Sequence, residues 1–273
     1  MSKTWFITGA GRGFGKEFAK SALGRGDRVA ATARNTAALD DLVQQYGDAV
    51  LPLQLDVTDR EGVFAAVAAA KERFGRLDVV VNNAGYGMFG AVEELTEQQV
   101  RDQFEVNLFG VLHVTQAVLP ILREQGEGRI IQISTVGGVT AFPNLGAYHA
   151  SKWALEGLTE TLAQEVGQFG IKVTLVEPGG FDTDWGGSSA VHAEPQPQYE
   201  GLRTALAEQQ ANSDAIGDAT ATGPAILKVA DAEEPPLRVF FGTFPTQFVP
   251  HVYQQRLATW KQWEQLSVEA NGR

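Results

Sequence analysis

Short runs that favour β-strands alternate with longer helical patterns along most of the chain. The strand-like runs cover residues 4–8, 28–33, 50–55, 78–82, 129–134, 171–176 and 237–241. Several of them are almost wholly apolar, which is typical of strands buried on both faces of a sheet. Repeated alternation of strands and helices predicts an α/β fold, in which a doubly wound parallel sheet of about seven strands carries helices on both faces. Ligands are expected at the carboxyl ends of such strands.

Capping residues mark where two of the predicted helices begin or end. The segment 58–74 has Thr58 or Asp59 as its N-cap, since either side chain can accept a hydrogen bond from a free amide of the first turn, and Gly75 closes it. The sequence TEQQ at residues 96–99 matches a capping box and opens another helix. These boundaries agree with helices that connect successive strands of a parallel sheet.

No linker divides the chain, so we expect residues 1–273 to form a single domain. The least regular stretch is the insert at about residues 184–223, which contains one short amphipathic pattern formed by Tyr199, Leu202 and Leu206. A long insert of this kind is typical of a lid or substrate loop, and the alternative is a floppy surface excursion. After the last strand, residues 251–266 predict a final helix.

The composition excludes several classes of function. The chain has 33 acidic and 22 basic residues, a formal net charge of −11, which argues against binding to nucleic acid or to an anionic membrane. Without cysteine there are no disulfides or thiolate sites, and the four histidines show no ligand spacing, so no metal is expected. No run of about 18 apolar residues occurs. Because the first strand leaves no room for a signal peptide, we expect a cytoplasmic protein.

A glycine-rich turn follows the first predicted strand, where residues 8–15 read TGAGRGFG. Gly9, Gly13 and Gly15 remove side chains where a backbone would approach a pyrophosphate, and the helix that follows offers its free amides to the phosphate charge. The spacing is GxxxGxG rather than the GxGxxG of the general dinucleotide fingerprint. The turn predicts a nucleotide site, and the alternative is a plain glycine-rich turn.

Tyr148 and Lys152 are four residues apart in a helical pattern, so their side chains share one face of the helix. A free phenol, with a pKa of about 10, is a poor proton-transfer group at neutral pH. Lowering this pKa to near neutrality takes about 4 kcal/mol of preference for the phenolate, and an ammonium about 4 Å away can supply roughly that much. The pair predicts that Tyr148 is a general acid/base, although a YxxxK match also arises by chance and needs its context.

Four motifs occur in a fixed order. TGxxxGxG after the first strand is followed by NNAG at residues 82–85, by Asn107 in the next helix and by YxxxK at residues 148–152. The ordered set closely resembles the short-chain dehydrogenase/reductase family, in its compact single-domain branch, over about residues 3–183. The resemblance implies a Rossmann-type sheet and hydride transfer between a nicotinamide cofactor and a carbonyl/alcohol pair.

The resemblance also implies where the cofactor would bind. Asp56 would contact the adenine, the NNAG segment would line the cleft, and residues 178–183 would hold the nicotinamide amide. The expected cofactor-binding residues are Gly9, Arg12, Gly13, Phe14, Gly15, Arg34, Asp56, Val57, Asn82, Ala84, Gly85, Tyr148, Lys152, Pro178, Gly179 and Thr183.

The same resemblance assigns catalytic roles. Tyr148 would be the acid/base at the substrate oxygen, Lys152 would bind the nicotinamide ribose and lower the Tyr148 pKa, and Asn107 would anchor a water that relays protons to Lys152. The family has a serine thirteen residues before the tyrosine, whereas this chain has Thr135 there, preceded by Ser134. Threonine keeps the hydroxyl but stiffens χ1. Because side chains alternate on an extended segment, we favour Thr135 over Ser134 as the donor to the carbonyl.

The choice of cofactor follows from charges near the second strand. Sites for NAD usually place an acidic residue at the end of this strand, where it accepts the ribose hydroxyls. This chain has Ala33 there, followed by Arg34, and Arg12 lies within the glycine turn. Two guanidinium groups and no acid suit a 2′-phosphate. We therefore expect NADP(H) rather than NAD(H), and the alternative is that both arginines are solvated surface groups.

Substrate contacts are expected from residues 86–89, from residues 136–145 and from the insert. Their side chains are largely apolar or aromatic, as in Phe89, Val139, Phe142, Leu145 and Trp185. This favours a small hydrophobic ketone, aldehyde or secondary alcohol, as for a carbonyl reductase. Family members commonly pair through the helices that carry Asn107 and Tyr148, which implies a homodimer or homotetramer.

Two other functions stay open at this point. The first is an NADP(H)-binding sensor or scaffold with little turnover, which only the threonine at position 135 motivates. The second is an epimerase or dehydratase of the same superfamily, although those enzymes are usually longer and carry a different glycine spacing.

Overall fold

A computed structural model describes residues 2–187, 189–211 and 216–272 of the chain. The strands are β1 Thr4–Ile7, β2 Arg28–Ala33, β3 Val50–Gln54, β4 Val79–Asn82, β5 Met88–Phe89, β6 Gly128–Ile133, β7 Ile171–Pro178, β8 Val191–His192 and β9 Arg238–Phe241. The α-helices are α1 Gly13–Gly24, α2 Asp40–Tyr46, α3 Arg60–Phe74, α4 Glu97–Phe104, α5 Val111–Gln125, α6 Gly146–Val166, α7 Glu200–Ala211, α8 Thr222–Asp231, α9 Thr243–Gln262 and α10 Glu264–Ala270.

Within the described residues, seven strands form one parallel sheet in the order β3-β2-β1-β4-β6-β7-β9. This confirms the predicted doubly wound α/β fold. The chain moves outward from β1 to β3 and then returns to place β4 on the other side of β1. Such a reversal opens a crevice at the carboxyl ends of the two central strands, where ligands of this fold bind.

Alternating side chains of the strands supply an apolar layer on each face of the sheet. Trp5 and Ile7 face Phe18 of α1, whereas Phe6, between them, faces the layer that contains Val114 of α5. All five side chains are fully buried, and burying a side chain of this size contributes about 1.5–3 kcal/mol. The two layers hold helices on both faces, so the site must lie at the edge of the sheet.

One helical segment, Glu97–Gln125, is long and apolar enough to cross a membrane by length and composition, a test that core helices also pass. Val114, Val118 and Leu122 of this segment are fully buried in the layer between α3, α5 and the sheet. The protein core therefore accounts for the apolar face of this segment.

The chain after residue 184 contains more regular structure than the sequence indicates. The helix α8, which was not predicted, packs on α1 through Ile226, and the short strands β5 and β8 pair in parallel. The predicted final helix, residues 251–266, corresponds to parts of two helices, because α9 begins earlier, at Thr243, and α10 begins at Glu264. Pro245 lies in the first turn of α9, where no amide is required.

The insert is tied to the loop after β5 by a buried carboxylate. Glu94 accepts hydrogen bonds from Gln196 N at 2.7 Å and from Arg203 Nη1 at 2.7 Å, and Tyr199 OH bonds Glu93 Oε2 at 2.6 Å. The bond from the Gln196 amide contributes most to holding the Glu94 pKa below its usual range. These contacts fix α7 beside the substrate side of the cleft.

Asp59, not Thr58, caps α3. Asp59 Oδ1 accepts from Gly62 N at 3.1 Å, whereas the Thr58 hydroxyl donates to Asp56 Oδ1 at 2.8 Å. Asp59→Ala should therefore lower the free energy of unfolding by about 1 kcal/mol, and Thr58→Ala, the matched control, by less than about 0.5 kcal/mol. Urea unfolding of both variants at one pH measures the difference, and equal losses would contradict this capping assignment.

Candidate active site

A cleft of about 1800 Å³ follows the carboxyl edge of the sheet. It brings together residues that are distant in sequence, from the glycine turn, from the ends of five further strands and from the insert. Of the predicted site residues, the cleft is lined by Gly9, Arg12, Gly13, Phe14, Arg34, Asp56, Val57, Ala84, Gly85, Ser134, Thr135, Tyr148, Lys152, Pro178, Gly179 and Thr183. Gly15, Asn82 and Asn107 lie behind this surface.

The glycine turn is shaped by close backbone packing. Gly9 and Gly13 have φ values of +67° and +53°, which favour glycine. A Cβ on Gly15 would overlap Gly9 O and lie 2.5 Å from Asn83 Nδ2, so this position has no room for a side chain. Helix α1 begins at Gly13, and its first amides and positive dipole end face an open cradle that suits a phosphate.

Asn82 is not part of the surface that lines the cleft. It is the register partner of Gln132, is 3% exposed, and its amide has no hydrogen-bond partner among the described residues. Its contact with a cofactor stays a prediction. Strand alternation turns the next residue, Asn83, to the cleft instead. Asn83 Nδ2 donates to Thr8 O at 3.0 Å and to Gly9 O at 3.1 Å, so it holds the glycine turn against β4.

Two arginines flank the end of the cleft near β2. Arg34 follows Ala33 and is exposed, and no acidic side chain stands at the strand end. Arg12 Nη1 forms an ion pair with Asp184 Oδ2 at 2.7 Å, which joins the glycine turn to the insert. Asp56 Oδ1 accepts from the Thr58 amide at 3.0 Å, so a local turn holds this carboxylate at the rim.

Tyr148 lies at the centre of the cleft on the first turn of α6. Its side chain is buried, its hydroxyl hydrogen-bonds Thr135, and its ring centroid is 4.9 Å from that of Trp185. Burial raises the pKa of Tyr148, and the hydrogen bond with Thr135 opposes this in part. Ser134 points the other way and donates to Glu156 Oε1 at 2.5 Å. The alternation that favoured Thr135 therefore matches the orientation of both side chains.

Lys152 is buried beside Tyr148, with its Nζ 6.0 Å from the centroid of the tyrosine ring. Its Nζ donates to Ile133 O at 2.7 Å, a backbone acceptor that sequence motifs do not reveal. Burial lowers the pKa of Lys152 to about 8, and the charge of Glu156 opposes this. The spacing argument predicted a lowered Tyr148 pKa, but in this structure burial outweighs the ammonium because Nζ is directed to Ile133 O.

Asn107 approaches Lys152 from a neighbouring helix. It lies in a π-helical turn, Glu105–Gly110, and such turns are frequent at functional sites. Asn107 Nδ2 donates to Ser151 Oγ at 3.1 Å. A Cβ on Gly85 would lie 3.0 Å from Asn107 Oδ1 and 3.8 Å from Lys152 Nζ. Because Gly85 has no side chain, the polar atoms of Asn107 and Lys152 border the same small space.

Aromatic side chains surround the substrate end of the cleft. Phe89 packs on Trp185 with centroids 5.3 Å apart, and Phe142 packs on His149 at 5.7 Å. Burial lowers the pKa of His149 to about 4, so the imidazole is neutral at neutral pH. Its Nδ1 accepts from Phe142 N at 3.3 Å, which leaves the proton on Nε2. Sequence reasoning noted His149 only as a neighbour of the site.

The arrangement can transfer a proton to or from a ligand oxygen. The phenol of Tyr148 and the hydroxyl of Thr135 are hydrogen-bonded to each other at the surface of the cleft. The ammonium of Lys152 and the open backbone of the glycine turn line the same cleft. In the part of the chain that the structure describes, no group of three or more His, Asp or Glu side chains could hold a metal ion. The absence of a metal stays a prediction.

Comparison with known proteins identifies the family. The family model described as short chain dehydrogenase matches residues 3–193. An oxidoreductase of Botryotinia fuckeliana, BOA17, is 42% identical over 271 residues, which cover 98% of this chain and 99% of that protein. A crystal structure of a short-chain dehydrogenase from Streptomyces avermitilis is 42% identical, with a TM-score of 0.91 and 98% of both chains covered.

Two further structures are less similar in sequence and contain a cofactor. An alcohol dehydrogenase from Thermococcus sibiricus, complexed with 5-hydroxy-NADP, is 29% identical with a TM-score of 0.73, over 89% of this chain and 97% of that one. A short chain dehydrogenase/reductase from Burkholderia phymatum, in complex with NAD, is 26% identical with a TM-score of 0.75, over 88% of both chains. The predicted resemblance is confirmed: the chain belongs to the short-chain dehydrogenase/reductase family of oxidoreductases.

Proposed function

We propose that the chain is an NADP(H)-dependent oxidoreductase that interconverts a hydrophobic ketone or aldehyde and its alcohol, with Tyr148 as general acid/base. The observation that carries this proposal is the hydrogen-bonded pair of Tyr148 and Thr135, directed into the cleft beside the buried Lys152. The adjacent hydroxyls of Tyr148 and Thr135 can both hydrogen-bond a carbonyl oxygen, and Tyr148 can give it a proton.

The cradle of the glycine turn supports a dinucleotide cofactor. The backbone at Gly9 and Gly13 and the free amides of α1 would hold the pyrophosphate, and Arg12 and Arg34 would receive a 2′-phosphate. Asp56 stands at the rim for the adenine, and residues 178–183 stand at the opposite end for the nicotinamide. The cofactor supplies the hydride.

The protein residues would handle the proton. In reduction Tyr148 donates its proton to the substrate oxygen, and in oxidation it takes one. Burial keeps the phenol protonated, which suits the reductive direction. The ammonium of Lys152, 6.0 Å from the centroid of the ring, would stabilise the phenolate left behind. Asn107 and Ser151 would anchor the route by which Lys152 recovers a proton.

The first experiment uses a panel of hydrophobic aldehydes and ketones with NADPH. Tyr148→Phe should lower kcat about 10²–10⁴-fold, because it removes the proton donor, while NADPH binding, followed by fluorescence, stays close to wild type. Tight NADPH binding without turnover by the wild-type chain would favour a sensor or scaffold. Epimerisation or dehydration without net NADPH consumption would favour the other branch of the superfamily.

The second experiment compares two adjacent hydroxyls. Thr135→Ala should lower kcat about 100-fold, because it removes a hydrogen bond to the developing oxyanion. Ser134→Ala should lower kcat less than about tenfold, because this hydroxyl donates to Glu156, away from the cleft. A larger loss in Ser134→Ala than in Thr135→Ala would overturn the assignment.

The third experiment tests the choice of cofactor. Arg34→Ala should raise the KM for NADPH about tenfold and leave the KM for NADH unchanged, since it removes a charged hydrogen bond to the 2′-phosphate. Arg101→Ala is the matched control, because Arg101 is also exposed but pairs with Glu97 on α4. A wild-type kcat/KM for NADH that equals or exceeds the value for NADPH would contradict NADP(H) preference.

A cytoplasmic location and assembly into a homodimer or homotetramer belong to the same proposal. Phe109, in the turn that carries Asn107, and Trp153, on α6, are each 42% exposed, and large apolar side chains of this kind favour an interface. Sedimentation equilibrium tests the assembly directly.

A further inference from the structure

A second group of charged side chains lies behind Lys152, outside the cleft. Glu156 follows Lys152 by one turn of α6 and is 5% exposed, and Glu177, near the end of β7, is fully buried. Arg238 of β9 lies between them, with its side chain 34% exposed. Buried carboxylates are costly unless charge or hydrogen bonds compensate them. The roles proposed for Tyr148, Thr135 and Lys152 do not explain why two carboxyls are buried here.

Glu156 is joined to the segment that presents Thr135. Its Oε1 accepts from Ser134 Oγ at 2.5 Å, and Ser134 directly precedes Thr135. A Cβ on Gly138 would lie 2.5 Å from Ser134 Oγ and 2.9 Å from Glu156 Oε1, so the loop after β6 packs directly on this hydrogen bond. Glu156 therefore links α6, the helix that carries Lys152, to the end of β6, where Thr135 lies.

Arg238 is shared among three carboxylates. Its Nε donates to Glu156 Oε2 at 3.1 Å, its Nη2 donates to Glu160 Oε2 at 2.8 Å, and its Nε lies 3.4 Å from Glu177 Oε1. Neither oxygen of Glu177 has a hydrogen-bond partner within the described residues. Hydrogen bonds to Glu156 thus stabilise a negative charge on its carboxylate. Among the described residues, the contact with Arg238 is the ionic contact of Glu177, and it is not a hydrogen bond.

The contacts around the two buried glutamates favour a negative charge on Glu156 and a proton on Glu177. Burial, and then the charge of Glu156, raise the pKa of Glu177 to about 8, so Glu177 carries a proton at neutral pH. Burial also raises the pKa of Glu156, but Ser134, Arg238 and Lys152 oppose this. Two carboxyls in one buried site titrate as a pair, and Glu156, which accepts hydrogen bonds from Ser134 and Arg238, is the partner that takes the negative charge.

The ionisable groups around Lys152 come from several elements. Tyr148 and Glu156 share α6 with it, and Asn107 contributes an uncharged amide that bonds the neighbouring Ser151. Arg238 of β9 and Glu177 of β7 lie beyond Glu156, where Arg238 contacts both glutamates. Burial destabilises the ammonium, and the charge of Glu156 is the contribution that favours it. With Glu177 protonated, Glu156 is the anion on which the charge of Lys152 depends.

We propose that Glu156 is a positioning residue for the reaction, which keeps the buried ammonium of Lys152 charged and is itself held in place by Ser134 and Arg238. This inference rests on the proposed function, since Lys152 there stabilises the phenolate of Tyr148. In this proposal Ser134 acts through its hydrogen bond to Glu156 and does not contact the substrate.

The test is the pH profile of kcat/KM for reduction of a hydrophobic aldehyde with NADPH. Glu156→Gln keeps an acceptor for Ser134 but removes the charge, so Lys152 loses its proton at lower pH, and the alkaline limb of the profile should move down by about one pH unit. Glu160→Gln removes the same charge from the same helix and the same arginine, one turn further from Lys152, and should leave the limb in place. Glu177→Gln resembles the protonated acid and should also leave it in place.

A second readout does not require turnover. The ¹³Cε resonance of Lys152 in ¹³C-lysine-labelled protein, assigned by its loss in Lys152→Arg, should titrate about one pH unit lower in Glu156→Gln than in wild type or Glu160→Gln. An unchanged midpoint in Glu156→Gln, or an equal change in Glu160→Gln, would overturn the proposal. If the wild-type chain reduces no carbonyl but the midpoint moves as expected, the proposed function fails while the link between Glu156 and Lys152 stands.

Discussion

The junction between the two central strands holds the site together. The Thr8 hydroxyl accepts from the amides of Asn83 and Ala84 at 2.9 and 3.0 Å, and Asn83 Nδ2 returns hydrogen bonds to the carbonyls of Thr8 and Gly9. These bonds lie where the order of strands reverses, so they fix the crevice of the fold. The glycine turn can keep its backbone open because the side chain of Asn83, directly after β4, satisfies the carbonyls of Thr8 and Gly9.

Burial has opposite effects on the two central ionisable groups. It raises the pKa of Tyr148 and lowers that of Lys152, because each loses the solvation of its charged form. Both changes favour the neutral forms, so the ammonium of Lys152, with a pKa of about 8, is present at neutral pH but is lost at mildly alkaline pH. A fixed negative charge near Lys152 counteracts this tendency, and Glu156 supplies it one helical turn away. The spacing of Tyr148 and Lys152 alone therefore does not determine the charge of the pair, which also depends on burial and on Glu156.

The sequence predicted those features that local backbone geometry determines. All seven strands of the main sheet, the glycine turn and the opposite orientations of Ser134 and Thr135 follow from periodicity and turn chemistry. Asn82 is buried at the end of β4 rather than exposed on the surface of the cleft, and its contact with a cofactor stays a prediction. Contacts between distant elements left no local signal, as for Glu156 with Ser134 or Glu94 with Arg203. Helix α8 was missed because its apolar face is short and lies next to an irregular insert.

The aromatic wall at one end of the cleft supports the proposal that the substrate carries its carbonyl on an apolar group. Trp185 covers the Tyr148 ring, and Phe89, Phe142 and neutral His149 complete the wall. Arg203, a cation on this side of the cleft, is already bound to Glu94 at 2.7 Å. An anionic group on a substrate would lose its water against this aromatic wall, and Arg203 would not replace it, because Glu94 already holds the guanidinium. A carbonyl oxygen loses less, because the two hydroxyls that meet it replace its hydrogen bonds to water.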